Sequence, residues 1–279
     1  MEDEFEFETD IKQGMKGDRP KRVQEWLVHH GFALAVDGRF GHATRAGVEH
    51  FQHSHGLGAT GIVDRATFEA LVRPFLRADL AIDAEGRTLG ELTVAYARQH
   101  LAEHPREIGG ERRGPWVRLY MNGREGADQP WCAGFVRHCV QRACATLGVE
   151  PPITLTLAFD ALARAAKAQG ALVEAPARVA VGSLFLVRGK ARDSWVHVGI
   201  VAQRRGDTFS SIEGNADRQD AREGRRDGFE ICERVRGFAG KDYIVLDGDA
   251  AHASSSRRCL QALPRAFVTS ALPATQRRA

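Results

Sequence analysis

A chain of 279 residues is long enough to bury two small cores. A formal charge of +3 is too small for a nucleic-acid footprint, and no apolar run approaches the length needed to span a bilayer. Five cysteines without a Cys-x-x-Cys pair count against both a zinc ribbon and a disulfide framework, and Cys139 and Cys144 read as small apolar core residues.

Residues 1–10 carry six carboxylates and no base, so they read as a solvated acidic segment. Residues 11–76 form a unit of three predicted helices. The first takes Asp18 as N-cap and Pro20 in its first turn, buries Val23, Trp26 and Leu27, and closes at Gly31. The second follows the turn Asp37-Gly38-Arg39-Phe40-Gly41 and buries Ala43, Val48 and Phe51. The third starts after Asp64, buries Phe68, Leu71, Val72 and Phe75, and is weakened by Pro74. Gly38 to Thr44 is echoed 23 residues later by Gly61 to Thr67, which makes the unit pseudo-symmetric.

With Gly14-x-x-Gly17, Val36-Asp37-Gly38-Arg39-Phe40-Gly41-His42-Ala43-Thr44 and Phe51-Gln52, this unit resembles the type 1 peptidoglycan-binding domain. The resemblance implies a wall-binding module with peptidoglycan as partner and Asp37, Arg39 and Phe40 on its binding loop. The same residues are also good turn formers, and Asp64 stands where the family usually has glycine. Six histidines crowd the module, but no carboxylate or cysteine joins His53 and His55 at a recognised ligand spacing, so no metal site is expected.

Residues 77–87 read as a polar linker. A further helix uses Leu92, Ala95 and Tyr96; residues 105–130 look irregular, with Trp116, Tyr120 and Met121 among many glycines and prolines. Pro130 cannot continue a helix backwards, and Phe135, Val136, Cys139, Val140 and Ala143 recur at helical spacing, so Cys132 falls at a helix start. There the N–H groups and the macrodipole favour a thiolate. Another helix is predicted over 154–167, and strands over 181–187, 195–202, 208–212, 229–235 and 243–246. Helices followed by antiparallel strands give an α+β fold. His197 sits in a β-branched strand, and the next strand brings Glu213 and Asn215 beside it, either of which can fix the imidazole tautomer. Trp131 and Trp195 flank nucleophile and base, either as substrate platforms or as core. The charged loop over 216–227 either overhangs the site or faces solvent, and residues 248–279 read as a basic tail.

Trp131-Cys132-Ala133-x-Phe135-Val136, His197-Val198-Gly199-Ile200-Val201 and Glu213-Gly214-Asn215 resemble the signature of the cysteine, histidine-dependent amidohydrolase/peptidase (CHAP) family of peptidoglycan hydrolases, over residues 88–247. The resemblance implies a papain-like domain of helices and antiparallel sheet. It implies Cys132 as nucleophile, His197 as base, Glu213 as orienting partner and Asn215 as a further member, with no cofactor and no metal. It also implies amidase or endopeptidase chemistry on peptidoglycan, with the amidase preferred, against the alternative of a wall-binding protein without activity. The acidic start is unlike a secretory signal, so synthesis in the cytoplasm and action in the periplasm or outside the cell are expected. Delivery as a phage endolysin or as an injected antibacterial effector fits, the latter with a secretion apparatus and an immunity protein as partners.

Overall fold

The computed structural model describes residues 4–218 and 228–247, which belong to one unit. The first helices are α1 (Asp18–His29), α2 (His42–Ser54) and α3 (Arg65–Leu71). The internal echo is structural, and two glutamines express it. Gln24 accepts from the N–H groups of Asp37 (3.0 Å) and Gly38 (2.8 Å) and donates to Arg39 O and Thr44 Oγ1. Gln52 repeats this in the second half: it accepts from Gly61 N–H (2.9 Å) and donates to Ile62 O and Thr67 Oγ1. Gly38 and Gly61 both take positive φ, 70° and 69°, which a turn with its N–H turned inward requires.

Ala43 is exposed on α2, whose buried face takes Thr44 and Gly47 beside Val48 and Phe51, and two further local expectations differ. Asp18 is the first helical residue and not the cap, because Gly17 (φ 109°) makes the entry turn. The third helix is two: α3 stops before Val72, and α4 (Arg73–Ala78) restarts with Pro74 in its first turn, where the missing N–H costs nothing. Asp64 does cap α3, accepting from Thr67 N–H at 2.8 Å.

Beyond α4 the chain is fastened down. Gln99 donates to the carbonyls of Ala78 and Leu80, and Tyr96 Oη accepts from Ile82 N–H. Both anchors lie on α5 (Leu89–Ala102), which opens with a capping box of Thr88 and Glu91. The stretch 105–130 is not wholly irregular. It contains α6 (Pro115–Tyr120), all six of whose residues are buried. Arg118 of α6 pairs with Glu25 of α1 (2.6 Å), with Glu125 (2.6 Å) and with Glu4, so the acidic opening segment is partly buried rather than fully solvated.

Two more helices follow, α7 (Cys132–Leu147) and α8 (Phe159–Ala168), the latter starting five residues later than expected. The six strands are β1 (Leu172–Val173), β2 (Leu184–Arg188), β3 (Trp195–Arg205), β4 (Thr208–Ala216), β5 (Glu230–Gly237) and β6 (Lys241–Ile244), in the order β1-β6-β2-β3-β4-β5. All pairs are antiparallel; β2 to β5 form a meander, and β6 returns to lie between β1 and β2. One sheet face carries Val198, Ile200 and Ile212 in a common core with Phe135, Val136 and Val140 of α7. The other carries Phe185, Val201, Phe209 and Tyr243 as a second core. No helix among the described residues is long and apolar enough to cross a membrane. Most of the 216–227 loop and the 248–279 tail lie outside the described residues.

Candidate active site

Three elements meet at the start of α7. Cys132 is its first residue, in the turn whose N–H groups have no partner within the helix. The preceding N–H, of Trp131, donates to Asn215 Oδ1 at 3.1 Å, and Asn215 Nδ2 donates to Gly228 O at 2.9 Å. Asn215 has φ 54°, a left-handed conformation that asparagine tolerates better than most residues, and it lies at the end of β4. Asn215 thus anchors the helix that presents the sulfur, while Glu213 serves the imidazole.

His197 enters from the start of β3 and Glu213 from the end of β4, which antiparallel pairing brings to the same end of the sheet. His197 Nε2 lies 2.8 Å from Glu213 Oε2, which leaves Nδ1 as the ring nitrogen free to serve Cys132. Burial alone would lower the imidazole's pKa. The neighbouring Cys132 and Glu213 outweigh it and hold His197 up at about 9. Gly199 keeps this packing possible: a Cβ there would stand 2.6 Å from Phe185 Cε1 and 2.9 Å from Glu213 Cγ.

Glu213 is fully buried and is held by more than the histidine. Burial pushes its carboxyl up, but Arg236 donates to it twice (Nε to Oε1 and Nη2 to Oε2, both 2.6 Å), and with His197 keeps it well below the usual carboxylate range. Ser211 Oγ adds a bond to Oε1 at 2.5 Å. Arg236 and Ser211 escaped the sequence reading. The signal for them was alternation: Glu213 pairs with Cys232, Ser211 with Arg234 and Phe209 with Arg236, so all six share a face.

Other expected site residues fall elsewhere. Trp131 is fully buried, stacked on Tyr120 at 5.6 Å with its Nε1 donating to Glu107, and Trp195 is buried with its Nε1 donating to Asp242. Both rings are filled core positions and not open platforms. Phe40 is likewise buried, so it packs the module's loop from within and presents no surface. Asp37 and Arg39 stay exposed, with Asp37 Oδ1 accepting from Gln24 Nε2 and from Arg39 N–H. His55 stacks on Phe51 at 4.0 Å. Cys132 and His197 are themselves only 2% and 5% exposed, so their pairing is shielded from bulk water.

Compared with known proteins, residues 16–71 match the family described as a putative peptidoglycan binding domain. The zinc D-Ala-D-Ala carboxypeptidase of Streptomyces albus G is 38% identical over 64 residues, covering 22% of this chain and 25% of that protein, so the chain spans about a quarter of the length of this curated relative. A solved structure of the Burkholderia AP3 phage endolysin aligns over 34% of this chain and 49% of its own, at 22% identity and a TM-score of 0.23. The family match covers α1, α2 and α3 and ends before α5; Cys132, His197, Glu213 and Arg236 all lie beyond it.

Proposed function

We propose that the protein is a cell-wall hydrolase that holds peptidoglycan through residues 16–71 and cuts an amide bond in it with Cys132. One observation carries this reading: a cysteine at a helix N-terminus close enough to act on the pKa of an imidazole that is itself held by a buried carboxylate, in a chain whose first helices match a wall-binding family. The CHAP-like sequence signature at these same residues supports it.

In the reaction the Cys132 sulfur attacks the amide carbon after its proton has passed to His197 Nδ1. The carbonyl oxygen takes up negative charge at the helix start, where the Cys132 N–H donates to it. The C–N bond then breaks as the imidazolium gives its proton to the leaving amine. Water, deprotonated by the neutral ring, attacks the thioester and releases the acid and the free thiol. Glu213 keeps Nε2–H oriented and stabilises the imidazolium; Arg236 and Ser211 keep Glu213 ionised and in place.

The preferred bond is that between N-acetylmuramic acid and L-alanine, hydrolysed in the periplasm or outside the cell. Purified sacculi treated with wild type and with Cys132→Ala test this. Wild type should lower turbidity and release stem peptides with a free N-terminal alanine, read by mass spectrometry, while Cys132→Ala should bind sacculi without clearing them. Muropeptides cut within the stem or cross-bridge would make the enzyme an endopeptidase, and no cleavage by either protein would leave only wall binding.

A further inference from the structure

We propose that Asp79, His100 and His138 form a site for one divalent transition-metal ion of the zinc type, apart from the Cys132 cluster. The three residues are far apart in sequence: Asp79 ends α4, His100 lies in the last turn of α5 and His138 lies on α7. The fold brings one ligand atom of each within 4.8 Å of the other two.

His100 supplies an observation independent of the cluster. It is fully buried, its Nδ1 lies 2.9 Å from Tyr120 Oη, and its Nε2 has no hydrogen-bond partner. A buried ring nitrogen without a partner is costly in a chain that satisfies most such groups. If Nδ1–H donates to the tyrosine oxygen, Nε2 carries a lone pair toward the cluster. A metal-bound histidine commonly has this arrangement, one nitrogen tied to an outer hydrogen-bond partner and the other on the ion. His138 Nε2 and Asp79 Oδ1 lie 3.0 Å apart, already turned toward one another as two ligands of one ion would be.

Two imidazoles and one carboxylate suit zinc, cobalt or nickel better than calcium or magnesium, which prefer oxygen shells. Zinc bonds of about 2.0–2.2 Å in a tetrahedron set ligand atoms about 3.3 Å apart, so the cluster must tighten. The Asp79 side chain is 35% exposed, so the cluster borders solvent on that side. Arg142 bounds the site from outside, with Nε 3.0 Å from Asp79 Oδ1 and Nη2 donating to the Asp79 carbonyl at 2.6 Å. It would hold the carboxylate as an outer partner of the ion. So placed, the ion would bind the end of α4 and the flank of α5 to the helix that presents Cys132.

The test uses the full chain, stripped with a chelator, dialysed, and then titrated with Co²⁺ or reconstituted with Zn²⁺ and assayed by mass spectrometry. Wild type should hold one zinc per chain, show the visible absorption of tetrahedral cobalt, and melt at a higher temperature with zinc than without. Asp79→Ala and His138→Ala, both at partly exposed positions, should keep native circular dichroism, weaken cobalt binding by at least about 10–100-fold and lose the zinc-dependent rise in Tm. Cys132→Ala should retain the ion, because Cys132 lies outside the cluster; the variant separates this site from Cys132 and His197, which are themselves potential zinc donors. A wild-type chain with no more zinc than the dialysis buffer overturns the proposal. So does an ion lost in Cys132→Ala but kept in the other two variants.

Discussion

The charge on Glu213 decides what His197 can do. A buried imidazole should be neutral at pH 7, yet the sulfur on one side and the carboxylate on the other hold its pKa at about 9. Arg236 is part of this balance, because without its two bonds a buried carboxyl would tend to protonate and cease to hold the ring's proton. In the proposed reaction the imidazolium must protonate the leaving amine, so kcat/KM should fall as pH rises through about 9. Glu213→Gln preserves the shape and removes the charge. It should move that alkaline limb at least about one pH unit lower, toward the ordinary histidine value near 6.5, and reduce kcat/KM by about 100-fold or more. Asn215→Ala acts at the helix start through Trp131 N–H, and should lower the rate without moving the limb. A pH–rate profile for the three proteins checks both, and a limb that shifts equally in the two variants would refute the division of labour.

At the scale of elements, the N-terminus of α7 is set by how closely α6 approaches it. A Cβ on Gly134 would stand 2.4 Å from the carbonyl oxygen of Tyr120 and 2.8 Å from Met121 Sδ, so α7 can sit here only because residue 134 has no side chain. Gly134→Ala gains about 1 kcal/mol of helix propensity, but the contact is with backbone that cannot turn aside. Overpacking of this kind costs about 1–3 kcal/mol and should win, so Tm should fall; a displacement of Cys132 by even about 1 Å should lower kcat by about 100-fold. Chemical denaturation and sacculus hydrolysis measure the two effects separately. The helix itself was legible in the sequence, as were β2 to β5, because each repeats its apolar residues with a clear period. Helix α6 was not: six residues between glycines carry too little periodicity, and only its packing between α1 and α7 stabilises it. Cys132, His197 and Glu213 stood out by local pattern. Arg236 did not, because on β5 a buried arginine lies beside a 75% exposed Val235, the reverse of what polarity suggests. The His100 cluster had no sequence signal at all, since its spacing is created by three helices meeting.

Across the whole molecule, the N-terminal helices and the later elements bury titratable groups, and these should shape how stability varies with pH. His29 of α1 accepts a hydrogen bond from Trp116 Nε1 of α6 at 3.4 Å. Burial, then the positive neighbours His30 and Arg106, lower its pKa to about 3, and burial lowers that of His30 as well. A depressed histidine pKa means that the unfolded chain takes up the proton first, so this contribution is complete above about 6.5 and is lost as pH falls toward 3. His197 has the opposite sign. With its pKa raised to about 9, its contribution is complete below about 6.5 and is lost as pH rises through 9. Glu125, lowered to about 2 despite burial by bonds from Gly114 N–H, Lys21 and Arg118, adds a further loss below the ordinary glutamate value near 4.5. Stability should therefore peak near pH 6.5 and fall on both sides, by at most about 1.4 kcal/mol per pH unit for each proton involved. His29→Gln keeps an acceptor for Trp116 but cannot titrate, so it should flatten the slope between pH 6 and 4.5 by about one proton and leave the alkaline side unchanged. Glu213→Gln should flatten the alkaline side instead. Urea unfolding at half-unit steps from pH 4.5 to 9.5 measures both slopes, and an acid limb of the same steepness in wild type and His29→Gln would show that the contact between α1 and α6 does not exclude the proton.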